Sequence, residues 1–554
     1  MFHVEQFILN QKIIFMKVYG HLVDIHNRDI YPAVITIKKG KIEKIERRGR
    51  APDIYIMPGL IDAHIHIESS MVTPGAFAFA AVKHGTTGVV SDPHEIANVL
   101  GEKGIKFMIN DGKKVPIRFW FGASSCVPAT SFETSGAKLN HVEVGKLLGL
   151  PDIKYLAEMM NFPGVIYEDE EVLRKLAIAR KHGKPIDGHA PGLTGQMLRK
   201  YVAAGISTDH ECSTLNEAKE KISLGMKILI REGSAARNLN SLKELFYTNP
   251  GMVMLCSDDL HPEMLQKRHI NKLIANLISE GFNAFDVIRS ATVNPVIHYN
   301  LEAGLLQQGQ SADFIVVDSL KDMNVLETWI EGEKVFSKGN VLFAYAPGKA
   351  INNFRCLPVG ENDIRVINRC GKIRIIEAFD GELMTKELIE PAGRNEFVES
   401  DTANDILKIV VKDRYNDSPP STGFIKGFGL KKGAFAGSVA HDSHNIISVG
   451  TNDKDIISSV NEIIRLKGGL AVSYGGKVVS LQLNIGGIMT TRPCGEVAHD
   501  YEMLNELVKS LGSKMASPFM TLSFMALLVI PDLKIGDRGL FDVNKFKLVP
   551  LFVE

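Results

Sequence analysis

Two histidines one residue apart, His64 and His66, close the string Met57-Pro-Gly-Leu-Ile-Asp-Ala-His-Ile-His66. Alternate side chains of an extended strand leave the same face, so both imidazoles can reach one ion. With 17 histidines in 554 residues a bare His-x-His arises by chance, so the pair needs partners elsewhere. Five further strings carry suitable residue types: Ser91-Asp-Pro-His-Glu95, Ala157-Glu-Met-Met160, Asp187-Gly-His-Ala190, Thr208-Asp-His-Glu211 and Ser257-Asp-Asp259. Taken singly, Asp92, Asp187 or Asp259 reads equally well as a helix cap or a satisfied polar residue. Taken together, the strings offer four histidines and two carboxylates, which suit two divalent cations such as zinc, manganese or iron sharing a carboxylate and a hydroxide.

Each string ends a short apolar run. Eight such runs read as strands between Met57 and about Tyr299: Met57 to His66, Gly85 to Asp92, Ile117 to Gly122, Lys154 to Glu158, Pro185 to His189, Ile206 to His210, Met226 to Arg231 and Met252 to Asp258. Helical segments such as Asp169 to His182 and Met264 to Glu280 fall between or after them. This alternation predicts an α/β fold, a (β/α)8 TIM-like barrel over 57–303, in which chemistry gathers at the C-terminal ends of the strands. Alternating short strands from Ile13 to Ile56, and again from Gly304 to Gly339, predict a small β-sandwich domain built from both flanks, 1–56 with 304–345. The Pro/Gly/Asn-rich stretch 346–362 reads as a linker into a C-terminal mixed α/β domain, 363–554.

Composition narrows the partners. Lys+Arg and Asp+Glu are both 64, so no net field draws the chain to nucleic acid or an anionic membrane. The six cysteines form no Cys-x-x-Cys pair, which argues against a disulfide framework or thiolate zinc site and fits a reducing cytoplasm. Glu5, Gln11 and Lys12 interrupt any export signal, and the longest apolar run, Leu522 to Ile530, is shorter than the ~20 residues of a membrane span. It reads as a buried core element.

His-x-His on the first strand, one histidine each on the fifth and sixth and an aspartate on the eighth resemble the amidohydrolase superfamily. The longer strings Pro58 to Ser70, Ser91 to Asn98, Leu156 to Asn161, Gly188 to Gly192, Ser257 to Pro262 and Gly433 to Asn445 resemble the microbial adenine deaminase family over nearly the whole chain. The resemblance implies hydrolysis of adenine to hypoxanthine and ammonia by a metal-activated hydroxide, in purine salvage. It implies two divalent metal ions, manganese or iron foremost with zinc a third option, and metal ligands His64, His66, His189, His210, the bridging Glu158, and Asp258, which also handles protons. Asp92 and His94 would sit beside the purine and assist proton transfer. Glu211 follows His210 directly and on a strand would point away from the ion; it is kept as ligand support or a purine contact. His84 reads as structural. His441, Asp442, His444 and Asn445 could cap the barrel mouth, form a subunit contact or make a hydrogen-bonded turn, and Ser234 to Asn238 could border the substrate. The expected partners are adenine and water, with no nucleic acid or membrane, in a homo-oligomer, a dimer. A cyclic amide hydrolase or a deacetylase of the same superfamily is the nearest rival. A non-catalytic barrel would lack ligands, and the His-x-Glu zinc deaminases need a second cysteine that Pro493-Cys-Gly does not supply.

Overall fold

The computed structural model describes residues 16–234 and 236–553. Residues 13–15, where the first alternating run begins, the polar positions 5, 11 and 12, and Ala235 of the 234–238 segment lie outside the described residues. The molecule is mixed α/β and built on a curled parallel sheet. Its strands are numbered here β1 (Leu60–Ile65), β2 (Thr86–Ser91), β3 (Arg118–Ala123), β4 (Ile153–Met159), β5 (Ile186–Gly188), β6 (Thr208–Asp209), β7 (Lys227–Arg231) and β8 (Val253–Cys256). β1 to β5 pair in sequence order, as do β6 to β8, all in parallel. The Ser207 N–H donates to Ile186 O (2.9 Å) between β5 and β6. Just past β8, Asp258 pairs with Ile65 of β1, its N–H donating to His64 O (2.9 Å). Strands covered on both faces read as unbroken apolar runs, and Val-Met-Leu-Cys of β8 is buried throughout.

All eight strands lie where the sequence places them; most are trimmed, while β3 is shifted by one residue and β4 extends one residue further at each end. The first is divided: Tyr55–Pro58 belongs to another sheet, and β1 starts only at Leu60. Gly59 makes the joint, where a Cβ would lie 2.2 Å from the Thr87 hydroxyl oxygen. The segment Asp169 to His182 is the helix Glu170–Lys181, capped by the Asp169 carboxylate on the Val172 N–H. The single helix predicted over Met264 to Glu280 is in fact two, Pro262–Lys267 and Ile270–Ser279. The break at Arg268 and His269 lets the His269 ring reach Asp62 (2.9 Å) and the Thr86 hydroxyl (2.6 Å), ties that no helical period announces.

The flanks join in one eight-stranded sheet. Met16–Asp24, Asp29–Lys38 and Lys41–Arg47 lie on one side of Tyr55–Pro58; Phe314–Val317, Val325–Ile330, Glu333–Ser337 and Asn340–Val341 lie on the other. Its far edge curls back, with the Ile42 N–H donating to Gln310 O and the Ala312 N–H to Gly40 O. No helix or strand lies between Val341 and Glu361. Beyond it stands a nine-stranded, mainly antiparallel sheet with the helix Asp453–Leu466 packed on it, followed by the helices Cys494–Ser510 and Pro518–Phe524. The run Leu522 to Ile530 is buried except for the partly covered Val529.

Candidate active site

The C-terminal ends of the parallel strands bring the sequence-derived residues together. His64 is the penultimate residue of β1, His66 directly follows the strand, and their Nε2 atoms lie 3.2 Å apart. His66 donates through Nδ1 to the Asp92 carbonyl (3.1 Å), which turns its Nε2 toward Asp258 Oδ1 (3.2 Å) and Glu158 Oε1 (3.5 Å). His64 Nε2 is 3.5 Å from the same Asp258 oxygen. Across the site, Glu158 of β4 presents Oε2 to His189 Nδ1 (2.8 Å) and His210 Nε2 (3.1 Å), while the His64 and His210 rings stack at 4.4 Å. His64, His66, Glu158, His210 and Asp258 are buried; only His189 is partly exposed.

This donor set fits divalent cations. Two imidazole nitrogens converge within hydrogen-bond distance of each other and face the carboxylates of Asp258 and Glu158. His66, His94, Asp92 and Glu158 form one group of donor atoms mutually within 4.8 Å; His64, His210 and Asp258 form a second, and Glu158, His189 and His210 a third. Burial works against charge on every group here; at His64 it prevails and lowers the imidazole, but elsewhere the neighbours outweigh it. Burial pushes Glu158 up, but His189 and His210 hold it well below the usual carboxylate range. It pushes Asp258 up too, and Arg231 with the hydrogen bonds from His64 and His66 holds it down. Conversely, desolvation lowers His66 and His210, but the carboxylates around them raise both well above an ordinary histidine. The cluster is thus a pocket of negative potential that favours cations.

Asp92 and His94 lie beside this cluster. His94 Nδ1 is 3.1 Å from Asp92 Oδ2 and 3.3 Å from Glu158 Oε1. Glu211 departs from its expected orientation: β6 ends at Asp209, so strand alternation no longer governs position 211 and the side chain turns toward the site. Its Oε1 is 3.4 Å from His210 Nε2 and 3.6 Å from His189 Nδ1. Asp187 takes no part, being tied to Thr208 and Tyr299 hydroxyls at 2.8 Å each. Asp259 accepts from Ser69 Oγ (2.5 Å), and His84 Nε2 donates to Leu265 O (2.8 Å), away from the cluster. Of the 234–238 segment, Ser234 Oγ accepts from the His261 N–H and the Asn238 amide donates to the carbonyls of His210 and Cys212.

Two residues had no assigned role in the sequence. Arg231, the last residue of β7, forks onto Glu211 (2.5 and 2.8 Å) and also donates to Asp258 Oδ2 (2.6 Å). Its position at a strand end is the signal that could have found it. Asp258 itself sits at φ 58°, a left-handed conformation that costs a non-glycine residue about 1 kcal/mol and is typical of functional turns. The second is Glu95, whose oxygens receive His441 Nδ1 (2.6 Å) and His444 Nε2. Through it the C-terminal motif meets the curled sheet, while Asn445 donates to Thr134 O (2.9 Å).

The family model described as the amidohydrolase family matches residues 55–335, and that of the adenine deaminase C-terminal domain matches 382–547. Curated relatives named adenine deaminase extend along nearly the whole chain. One from Methanosarcina mazei is 52% identical, covering 97% of this chain and 100% of the relative; one from Salinibacter ruber is 47% identical, covering 97% and 99%. Another, from Borreliella burgdorferi, is 46% identical, covering 96% and 99%. A solved β-aspartyl dipeptidase from Fervidobacterium islandicum aligns at TM-score 0.46 and 13% identity, over 59% of this chain and 99% of that one. Matched by family models in both its halves and by relatives over almost its full length, the chain belongs to the adenine deaminase family of the amidohydrolases.

Proposed function

We propose that this chain is an adenine deaminase, converting adenine and water to hypoxanthine and ammonia in purine salvage. The observation that carries the reading is the full-length similarity to proteins of that name, together with a buried set of imidazoles and carboxylates at the strand ends. In this reading the curled sheet is a closed (β/α)8 barrel over 57–303. The small β domain takes 1–56 with 304–345, and the C-terminal domain 363–554. His64, His66, Glu158, His189, His210 and Asp258 would hold two divalent ions, manganese or iron foremost and zinc as a third option.

Such ions, when bound, lower the pKa of water toward neutrality and make it a nucleophile at physiological pH. The remaining work falls to side chains. Asp258 offers Oδ1 to the reacting centre because Arg231 holds Oδ2. It accepts a proton as water adds to C6 of the purine and returns it to the departing nitrogen, so that ammonia rather than an amide ion leaves. His94, oriented by Asp92, is the neighbouring group placed to assist that transfer. Glu211 lies where it can contact the purine or brace the ligands. The enzyme would work in the cytoplasm as a homodimer; among the described residues no helix is long and apolar enough to cross a membrane. Removing metal with a chelator should abolish ammonia release from adenine, and added manganese should restore it. Activity that survives complete metal removal would rule out the ligand assignments.

A further inference from the structure

A second convergence of ligand-type side chains lies at the seam between the curled sheet and the C-terminal region. His94 and Glu95 open the helix His94–Leu100 that follows β2, whereas His441 and Asp442 follow the strand Ala434–Gly437. All four are buried. His441 Nδ1 is 2.6 Å from Glu95 Oε1 and 3.9 Å from Asp442 Oδ1; His94 Nε2 is 3.4 Å from Glu95 Oε1 and 4.0 Å from Asp442 Oδ1. Bonds of ~2.1 Å at tetrahedral angles put donor atoms about 3.4 Å apart, so one small cation fits among these atoms with minor adjustment.

The chemistry of the four atoms points the same way. His94 Nδ1 lies 3.1 Å from the Asp92 carboxylate, so Nε2 is the ring nitrogen left for a second partner. It faces two carboxylate oxygens. Asp442 Oδ2 is buried without a hydrogen-bond partner, and Asp259 adds a third carboxylate within 4.8 Å of Glu95 and His441 donor atoms.

We propose that His94 Nε2, Glu95 Oε1, His441 Nδ1 and Asp442 Oδ1 form a further divalent-cation site, adjoining the His64/His66 cluster through His94, that clamps the C-terminal region onto the curled sheet. Two imidazoles and two carboxylates select zinc, manganese or iron(II) over magnesium or calcium. Calling it a third ion rests on the two-ion reading above, but its test does not. Chelator-stripped protein is reloaded with manganese, freed of excess and analysed for metal per chain, alongside Asp442→Asn and His441→Gln. Each folded variant should hold one equivalent less than the parent, whatever the parent's count. A His64→Asn/His66→Asn variant serves as the control: if it loses metal and the seam variants do not, the seam is a hydrogen-bonded contact and the proposal falls. If it loses none while the seam variants do, the functional reading fails and the seam site stands. Should both seam variants misfold, crystals of the parent protein loaded with manganese decide the matter: an anomalous peak among the four atoms supports the site, and its absence overturns it.

Discussion

Replacing Arg231 with methionine keeps the length and apolar stem of the side chain but removes the guanidinium that bridges Glu211 and Asp258. At an effective dielectric near 20, unit charges ~4 Å apart attract by about 4 kcal/mol. Removing one partner of a buried, hydrogen-bonded ion pair costs roughly 3–5 kcal/mol, because the other charge stays buried and unpaired. For a domain of this size, ~2–4 °C per kcal/mol converts that to a fall of roughly 6–20 °C in melting temperature. The melt is best followed on metal-free protein, since a cation bound by the freed carboxylates would mask part of the loss. There is a pH signature as well. Arg231 and the hydrogen bonds from His64 and His66 outweigh burial and depress the folded pKa of Asp258, so its stabilisation is present above the unfolded value and is lost as pH falls through the folded one. Arg231→Met should weaken this acid dependence. Because Arg231 orients Asp258, kcat/KM for adenine should drop by about 10–100-fold, the usual effect of losing a residue that positions a ligand. A variant melting within ~1 °C of the parent at unchanged kcat/KM would refute the reasoning.

Glu158→Gln and Asp258→Asn should each lower turnover by roughly 10²–10⁴-fold, as expected for loss of a residue that moves or positions the reacting proton; full activity in either would refute its role. Lys221 is fully buried and donates to Asp209 (2.8 Å), Glu217 (2.7 Å) and Ala190 O (2.7 Å), so Lys221→Met should cost about 3–5 kcal/mol in urea unfolding, and a loss below ~1 kcal/mol would contradict it. Glu133 is pushed up to about 8, chiefly by burial and further by Asp442. The folded chain therefore holds that proton more tightly than the unfolded chain, and stability falls as pH rises from about 4.5 to about 8. Glu133→Gln should flatten that decline, as read by melting temperature across the window.

The catalytic end of the molecule was legible because a strand alternates and parallel strands bury both faces. His64 and His66 therefore share a side, and the polar strings after apolar runs mark the strand ends. What escaped depends on partners distant in sequence. His269 breaks the helix predicted over Met264 to Glu280 in order to reach Asp62, 207 positions earlier. Arg231 closes an apolar strand with no periodic signature, and its role exists only once β6 and β8 bring Glu211 and Asp258 beside it. Nothing local to Ser91 through Glu95 announces a role for Glu95, because its partner His441 lies 346 residues away. Glu211 was misdirected for a local reason: the strand rule was applied two residues past the end of β6.

The buried cluster at the strand ends is proposed to deaminate free adenine. Protein stripped of metal and reloaded with manganese or iron(II) should release ammonia from adenine, with one hypoxanthine formed for each ammonia. Failure to release ammonia from adenine under those conditions, combined with turnover of a cyclic amide, would contradict it.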